Sequence, residues 1–296
     1  MVELQVLGAD DIGCVAELVR TCGLDAWIDE AALRRHMLAD LSSPPDMRLL
    51  AVQGGEPCGF CSAALRDGQA YVQLFGVAPP FRRQGIGSQL LGEIEARALA
   101  RGIQRVQVAG VSGGYFYPGV PVDATPAICL LERRGYRTDR TSRVDMDVDL
   151  TAVDLDTRDA VEELGAQGIS VRRVASGEVS QVVHFAEQYF SRTWGLEAAA
   201  ADGDEPTLYA AWYQGEVVSF AVYDALGHAR FGPTGTRPDM RQRGIGGVLL
   251  KRCMETMRDR GDRHAQIIWV GPIGFYARAV GARVSRAYWG FAKDLA

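Results

Sequence analysis

The sequence predicts a tandem α/β (α+β) protein, two copies of one fold, each a mixed, mostly antiparallel central sheet flanked by helices. Three observations carry this. Gly76-Val77-Ala78-Pro79-Pro80-Phe81-Arg82-Arg83-Gln84-Gly85-Ile86-Gly87-Ser88-Gln89-Leu90-Leu91 returns as Gly235-Thr236-Arg237-Pro238-Asp239-Met240-Arg241-Gln242-Arg243-Gly244-Ile245-Gly246-Gly247-Val248-Leu249-Leu250, an offset of 159 fixed by Gly85 and Gly244. An echo at so long a period marks a duplicated domain. The elements around the two stretches recur in the same order, and 296 residues suffice for two domains that each bury a core.

In the first copy, a strand near Leu4 to Leu7 precedes Asp10-Asp11, which can cap a helix running to Cys22. A second helix is expected from Glu30 to Asp40, ended by Ser42-Ser43-Pro44-Pro45. Strands follow over Arg48 to Gln53, Pro57 to Leu65 and Ala70 to Val77, and Gly54-Gly55 and Asp67-Gly68 between them imply an antiparallel meander. Ile86, Leu90, Leu91, Ile94 and Ala98 share one face of a helix from Gly85 to Ala100, which Gly102 ends. A strand at Val106 to Val111, a helix at Thr125 to Arg134 and a final strand pair complete the copy by Leu150.

The second copy repeats this. It has a strand at Ser170 to Val174, helical segments over Ser180 to Ala200 and a meander over Thr207 to Phe231. A helix at Ile245 to Arg260, a strand at Gln266 to Val270, a helix at Ile273 to Val280 and a closing strand at Val284 to Phe291 finish it. The polar, acidic stretch Asp154 to Gln167 reads as a linker, so the expected division is 1–150, a linker over 151–168, and 169–296.

Composition narrows the function classes. No apolar run approaches the roughly 18 residues of a membrane span, and Met1-Val2-Glu3-Leu4-Gln5-Val6 lacks the pattern of a signal peptide. The expectation is a cytoplasmic protein with no membrane partner. Cys58-Gly59-Phe60-Cys61 has the spacing of a redox or zinc pair, but a strand places side chains three apart on opposite faces. No second pair or nearby histidine accompanies it, so buried thiols and no metal site are expected. A net charge of −5 argues against nucleic acid and suits a cationic substrate.

A strand–glycine–helix junction is by itself only a tight turn. Arginines beside the glycines in both copies ask for more. A helix N-terminus carries unsatisfied amide donors and partial positive charge; glycines let a phosphate approach the backbone and arginines add charge-assisted contacts. A dinucleotide fingerprint would need glycine where Leu90 and Leu249 stand, and neither copy has the Gly-Lys-Ser/Thr of a P-loop.

Both copies match the pattern Arg/Gln-x-x-Gly-x-Gly/Ala, as Arg82-Arg83-Gln84-Gly85-Ile86-Gly87 and Arg241-Gln242-Arg243-Gly244-Ile245-Gly246. This resembles the acyl-CoA motif of the GNAT superfamily of N-acetyltransferases, and the likeness extends to element order over nearly the whole chain. The resemblance implies an acetyl-CoA donor, no metal, and transfer to the primary amine of a small molecule by direct attack. It assigns donor contacts to Val77, Arg82, Arg83, Gln84, Gly85, Ile86, Gly87 and Ser88, and to Arg241, Gln242, Arg243, Gly244, Ile245, Gly246 and Gly247. It also implies that a base removes the amine proton and a tyrosine protonates the departing thiolate.

The copies diverge in the parts that would do chemistry. The family's tyrosine stands four residues before a glycine in the helix after the fifth strand. The first copy has Leu131 there, before Gly135; the second has Tyr276, five residues before Gly281. Tyr276 is the candidate catalytic acid, or else an aromatic packed under the sheet. On the donor strand, Leu74-Phe75-Gly76-Val77 can offer amides throughout, whereas Pro233 either removes a donor contact or marks a strand bulge.

From Gly85 to Gly135 the first copy spans 50 positions, and from Gly244 to Gly281 the second spans 37. The surplus includes the aromatic loop Gly113-Gly114-Tyr115-Phe116-Tyr117-Pro118-Gly119-Val120-Pro121, in which Tyr115 or Tyr117 replaces the missing acid, lines an acceptor pocket, or packs against the other copy. Acceptor-side candidates are Asp25, Trp27, Asp29 and Glu30, and Glu187, Tyr189, Phe190 and Trp194. No carboxylate on either donor strand stands out as the base. One copy is expected to be catalytic and the other degenerate, in a monomer or homodimer. The alternatives are a non-catalytic acyl-CoA-binding or scaffold protein and a protein or peptide N-acetyltransferase.

Overall fold

Each half is built around one parallel strand pair in an otherwise antiparallel sheet. The computed structural model describes residues 1–24, 27–110 and 115–295, with Asp139 through its backbone alone. The expectations placed on Asp25, Gly113 and Gly114, and the strand end at Val111, lie outside the described residues.

The chain opens with β1 (Val2–Val6), α1 (Ile12–Thr21) and α2 (Glu30–Leu33). Asp29 caps α2, its Oδ1 accepting from Ala32 N at 2.8 Å. The expected helix to Asp40 is shorter, because after Leu33 the chain widens into a π turn over Arg34–Leu38. The meander follows as β2 (Arg48–Gln53), β3 (Glu56–Arg66) and β4 (Gln69–Val77), then α3 (Ile86–Leu99), β5 (Arg105–Val108), the short β6 (Val120–Pro121) and α4 (Thr125–Arg133). One strand, β7 (Arg137–Asp149), stands where a pair was expected; no glycine or proline between Arg137 and Asp149 folds it back on itself.

The expected linker contains a helix, α5 (Arg158–Ala166), and is followed by β8 (Ile169–Arg173), α6 (Val179–Tyr189) and α7 (Arg192–Ala199). Next come β9 (Leu208–Tyr213), β10 (Glu216–Tyr223), β11 (Arg230–Thr236), α8 (Ile245–Asp259), β12 (His264–Val270), α9 (Ile273–Val280) and β13 (Arg283–Asp294). Among the described residues no helix is long and apolar enough to cross a membrane.

Two compact units result: Met1–Arg143 with Ala287–Ala296, and Val144–Arg286. They are cut elsewhere than at the boundary between the sequence copies, because each unit takes its last strand from the other copy. In unit 1 the order is β1-β2-β3-β4-β5-β13, with Phe291 opposite Val108 and Lys293 opposite Val106. In unit 2 it is β8-β9-β10-β11-β12-β7, with Met146 opposite Ile267. Within the two orders, among the described residues, β4–β5 and β11–β12 are the parallel pairs. Phe291 of the borrowed strand is 2% exposed and belongs to the unit 1 core with Leu90, Leu91, Ile94, Val106 and Leu131.

One expectation from strand periodicity is corrected. Cys58 and Cys61 lie on the same face, both in that core. The register of β3 against β2 shifts between Ala51 and Val52, opposite Gly59 and Pro57, and this bulge turns Cys58 over. Both thiols are buried, and burial pushes both upward in pKa.

Candidate active site

The two glycine motifs adopt the same backbone. Gly85 (φ 86°) precedes α3 and Gly244 (φ 81°) precedes α8, each in the left-handed region, and no side chain caps either helix. Two residues earlier, Arg83 (φ 67°) and Gln242 (φ 63°) are left-handed as well. Alternating left-handed turns running into a helix gather amides into an anion-binding concavity. A Cβ on Gly244 would meet nothing within 4 Å, so its glycine answers to conformation alone.

The arginines divide into two roles. Arg82 Nε donates to Val77 O at 2.9 Å and Arg241 Nε to Thr236 O at 3.2 Å, so both tie the motif loop to the strand before it. Arg83 and Arg243 are exposed, and among the described residues neither makes a hydrogen bond or ion pair.

The strands open beside each motif. β4 pairs with β5 only from Ala70 to Val72, and β11 with β12 only at Arg230 and Phe231. Beyond these pairs a V separates Gln73–Val77 from the end of β5, and Gly232–Thr236 from the end of β12. Ala78 N donates to Cys58 O, and Arg237 N to Val218 O. By antiparallel alternation, Gly76 and Gly235 then face the meander, and Phe75, Val77, Thr234 and Thr236 turn their amides into the V. Amides are therefore offered at alternate residues rather than throughout. Pro233 lies within the register shift between Ala221 and Tyr223, at a strand irregularity of the kind that tolerates a residue with no N–H to donate.

The helix after the fifth strand explains the irregular tyrosine spacing. Tyr136 N, following Gly135, donates to Leu131 O. Ala282 N, following Gly281, donates to Tyr276 O. Gly281 N reaches both Ala277 O and Tyr276 O, so the last turn of α9 is widened by one residue. The neighbouring side chains agree: a Cβ on Gly87 would lie 2.9 Å from Leu130, and one on Gly246 would lie 3.7 Å from Phe275. Leu131 and Tyr276 thus hold equivalent places, fully buried and 7% exposed. Burial pushes the Tyr276 phenol up to about 12, and its ring meets Phe231 of β11 with centroids 6.3 Å apart.

A family model, the Acetyltransferase (GNAT) family, matches residues 14–115 and 178–282, more than two thirds of the chain. The chain belongs to the GNAT acetyltransferases. It is 29% identical over 108 residues to an acetyltransferase of Pectobacterium atrosepticum, over 36% of this chain and 74% of that protein. Three solved structures resemble it over 99% of its length. One is a GCN5-related glucosamine N-acetyltransferase region of a fungal multi-domain GH3 β-N-acetylglucosaminidase, with TM-score 0.82 and 18% identity; the GNAT chain described here spans 38% of that longer protein. A GCN5-related N-acetyltransferase of Sphaerobacter thermophilus has TM-score 0.72 and 22% identity over 95% of its chain. A tandem GNAT protein from the clavulanic acid biosynthesis pathway has TM-score 0.74 and 18% identity over 98% of its chain. At these identities the structures show the fold.

GNAT membership implies an acyl-CoA donor, and the site residues fit one: uncapped helix starts, exposed arginines and amides facing an open V. On the other face of the sheet the two units differ. Cys22, just past α1, puts its sulfur 3.0 Å from where a Cβ of Gly76 would stand. Phe190, just past α6, covers Gly235 and stacks on Trp194 with centroids 4.8 Å apart.

Tyr115, Phe116 and Tyr117 are buried. Phe116 packs against Trp27 and His36, and Tyr117 against Tyr288 of β13, all within unit 1. Of the other acceptor-side candidates, Asp29 is a helix cap, Glu30 is exposed beside Arg34, Glu187 is exposed against Gly195, and Tyr189 is 40% exposed.

Proposed function

We propose that the protein transfers acetyl from acetyl-CoA to a primary amine of a small molecule, that unit 2 performs the transfer, and that unit 1 is degenerate, binding CoA or serving structure. The equivalence of Tyr276 and Leu131 carries this reading, since unit 2 keeps a phenol where unit 1 has a hydrocarbon.

The donor, when bound, supplies an acyl carbon activated as a thioester. The amides before α8 and the exposed Arg243 hold its phosphates, and the amides of Thr234 and Thr236 fix its arm along the V. Tyr276 is protonated at neutral pH as any phenol is, and burial extends that form by pushing its pKa up to about 12, so the phenol can donate to the sulfur as that atom gains charge. Phe190 covers Gly235 on the opposite face and stacks on Trp194, giving the amine an aromatic approach. In unit 1 the same face is filled by Phe116 and Tyr117 with Trp27, His36 and Tyr288.

The test compares wild type with Gly85→Glu/Gly87→Glu and Gly244→Glu/Gly246→Glu. Acetyl-CoA binding is followed by calorimetry, and CoA release over a panel of primary amines follows transfer. The second variant should lose turnover and the first should keep it; the reverse pattern would place transfer in unit 1.

A further inference from the structure

The turn that ends the fifth strand differs between the units in a way that bears on transfer. Val72 pairs with Val108 in unit 1, and Phe231 with Ile267, each 159 positions later, in unit 2. Counting on, Gly110 and Trp269 hold the same position, and both are left-handed, at φ 67° and 46°. Glycine takes that conformation freely, whereas a bulky side chain there is held only by its surroundings. Such residues cluster at ligand sites.

One holding group is Asp145. Its Oδ1 accepts the Trp269 N–H at 2.8 Å, the side chain is fully buried, and a carboxylate makes a strong acceptor. Asp145 stands on β7 opposite the register shift that Ile268 and Trp269 create between Ile267↔Met146 and Val270↔Val144. The carboxylate therefore comes from the first sequence copy, although it and Trp269 both belong to unit 2. Ile268 Cγ1 and O lie 3.7 and 3.9 Å from where a Cβ of Gly232 would stand, so this segment is the wall of the V across from Thr234 and Thr236. Trp269 is half-buried there.

We infer that Trp269 is a specificity-determining residue, its indole forming a wall of the cleft where acyl group and amine meet, and that Asp145 is the positioning residue that fixes it. The inference rests on unit 2 being the transferring unit. An indole face at that place also favours an amine arriving protonated, through its attraction for cations.

The experiment uses the full chain carrying Gly85→Glu/Gly87→Glu, labelled with 5-fluorotryptophan, with the Trp269 fluorine line assigned by Trp269→Phe. Saturating acetyl-CoA should shift that line, CoA should shift it by a different amount, and Asp145→Asn, which keeps an Oδ1 acceptor, should preserve both responses. Asp145→Ala should broaden or split the line and abolish the difference, with the acetyl-CoA Kd changed less than threefold. If that variant unfolds, Asp145→Ala/Trp269→Gly should fold again, since glycine holds the turn unaided; failure to fold makes Asp145 purely structural and overturns its positioning role. A Trp269 line unmoved by acetyl-CoA that calorimetry shows to be bound overturns the inference. Absence of binding overturns instead the assignment of transfer to unit 2.

Discussion

Tyr276→Phe separates catalysis from packing with one atom. The ring it leaves behind still fills the space against Phe231 and Phe275. Among the described residues no hydrogen bond to the phenol oxygen is made, so the substitution forfeits no protein partner and stability should change by no more than ~0.5 kcal/mol. With the phenol pushed up to about 12, only on the order of one molecule in 10⁴ is ionised at pH 8, and the donor form persists across the working range. Loss of a positioned acid typically lowers the rate by ~10²–10⁴-fold, about 2.7–5.4 kcal/mol at 1.36 per decade. The assay is kcat from CoA release between pH 6 and 10, with thermal unfolding in parallel. Because burial favours the neutral phenol, wild-type stability from this group is complete below the unfolded pKa near 10 and declines as pH rises toward 12. A variant within threefold of wild-type kcat, or one whose Tm falls in step with its kcat, would refute the acid role.

Three further outcomes are expected. Gly235→Ala drives a Cβ into the Phe190 ring, which Trp194 and Phe220 wedge in place, so it should destabilise unit 2 by ~1–3 kcal/mol; Phe190→Leu should recover part of this in the double variant, and simple additivity in denaturant melts would contradict the contact. Glu95 accepts from Arg134 at 2.8 Å and Lys293 at 2.7 Å; burial raises its pKa, but these two cations hold it below the usual carboxylate range. Glu95→Ala should therefore cost toward the low end of ~3–5 kcal/mol, given two partly exposed cations. The wild-type contribution should be complete above pH ~4.5 and fade on acidification, and a Glu95→Gln variant with the same acid slope would contradict it. Phe291→Ala empties a site only 2% exposed and should remove ~3–5 kcal/mol from unit 1. Hydrogen exchange should accelerate at β5 amides and not at β12 amides; acceleration confined to β12 would show the last strand to be assigned to the wrong unit.

Features encoded by neighbouring residues were legible in the sequence. Gly54-Gly55 and Asp67-Gly68 stand at left-handed turns of the meander, where few other residues adopt that conformation. The apolar faces of α3 and α8 follow the helical period and are buried. The glycine motifs open both helices as their repetition implied, because a left-handed residue and an uncapped first turn are properties of a few consecutive residues. The tyrosine spacing was visible as an anomaly, and only the widened turn of α9 resolved it.

Tertiary structure decided the remainder. That β13 completes unit 1 and β7 completes unit 2 depends on which open sheet edge a distant strand meets, and no local pattern encodes that choice. A single inserted residue in β3 reversed the face of Cys58, since side chains alternate with a period of two and any bulge inverts it. The amides that enter the V follow from ladder register rather than composition. Asp145 is one of several acidic residues along β7 in the sequence. It gains its role because strand exchange sets it, buried, under the amide of Trp269, which lies 124 residues away along the chain.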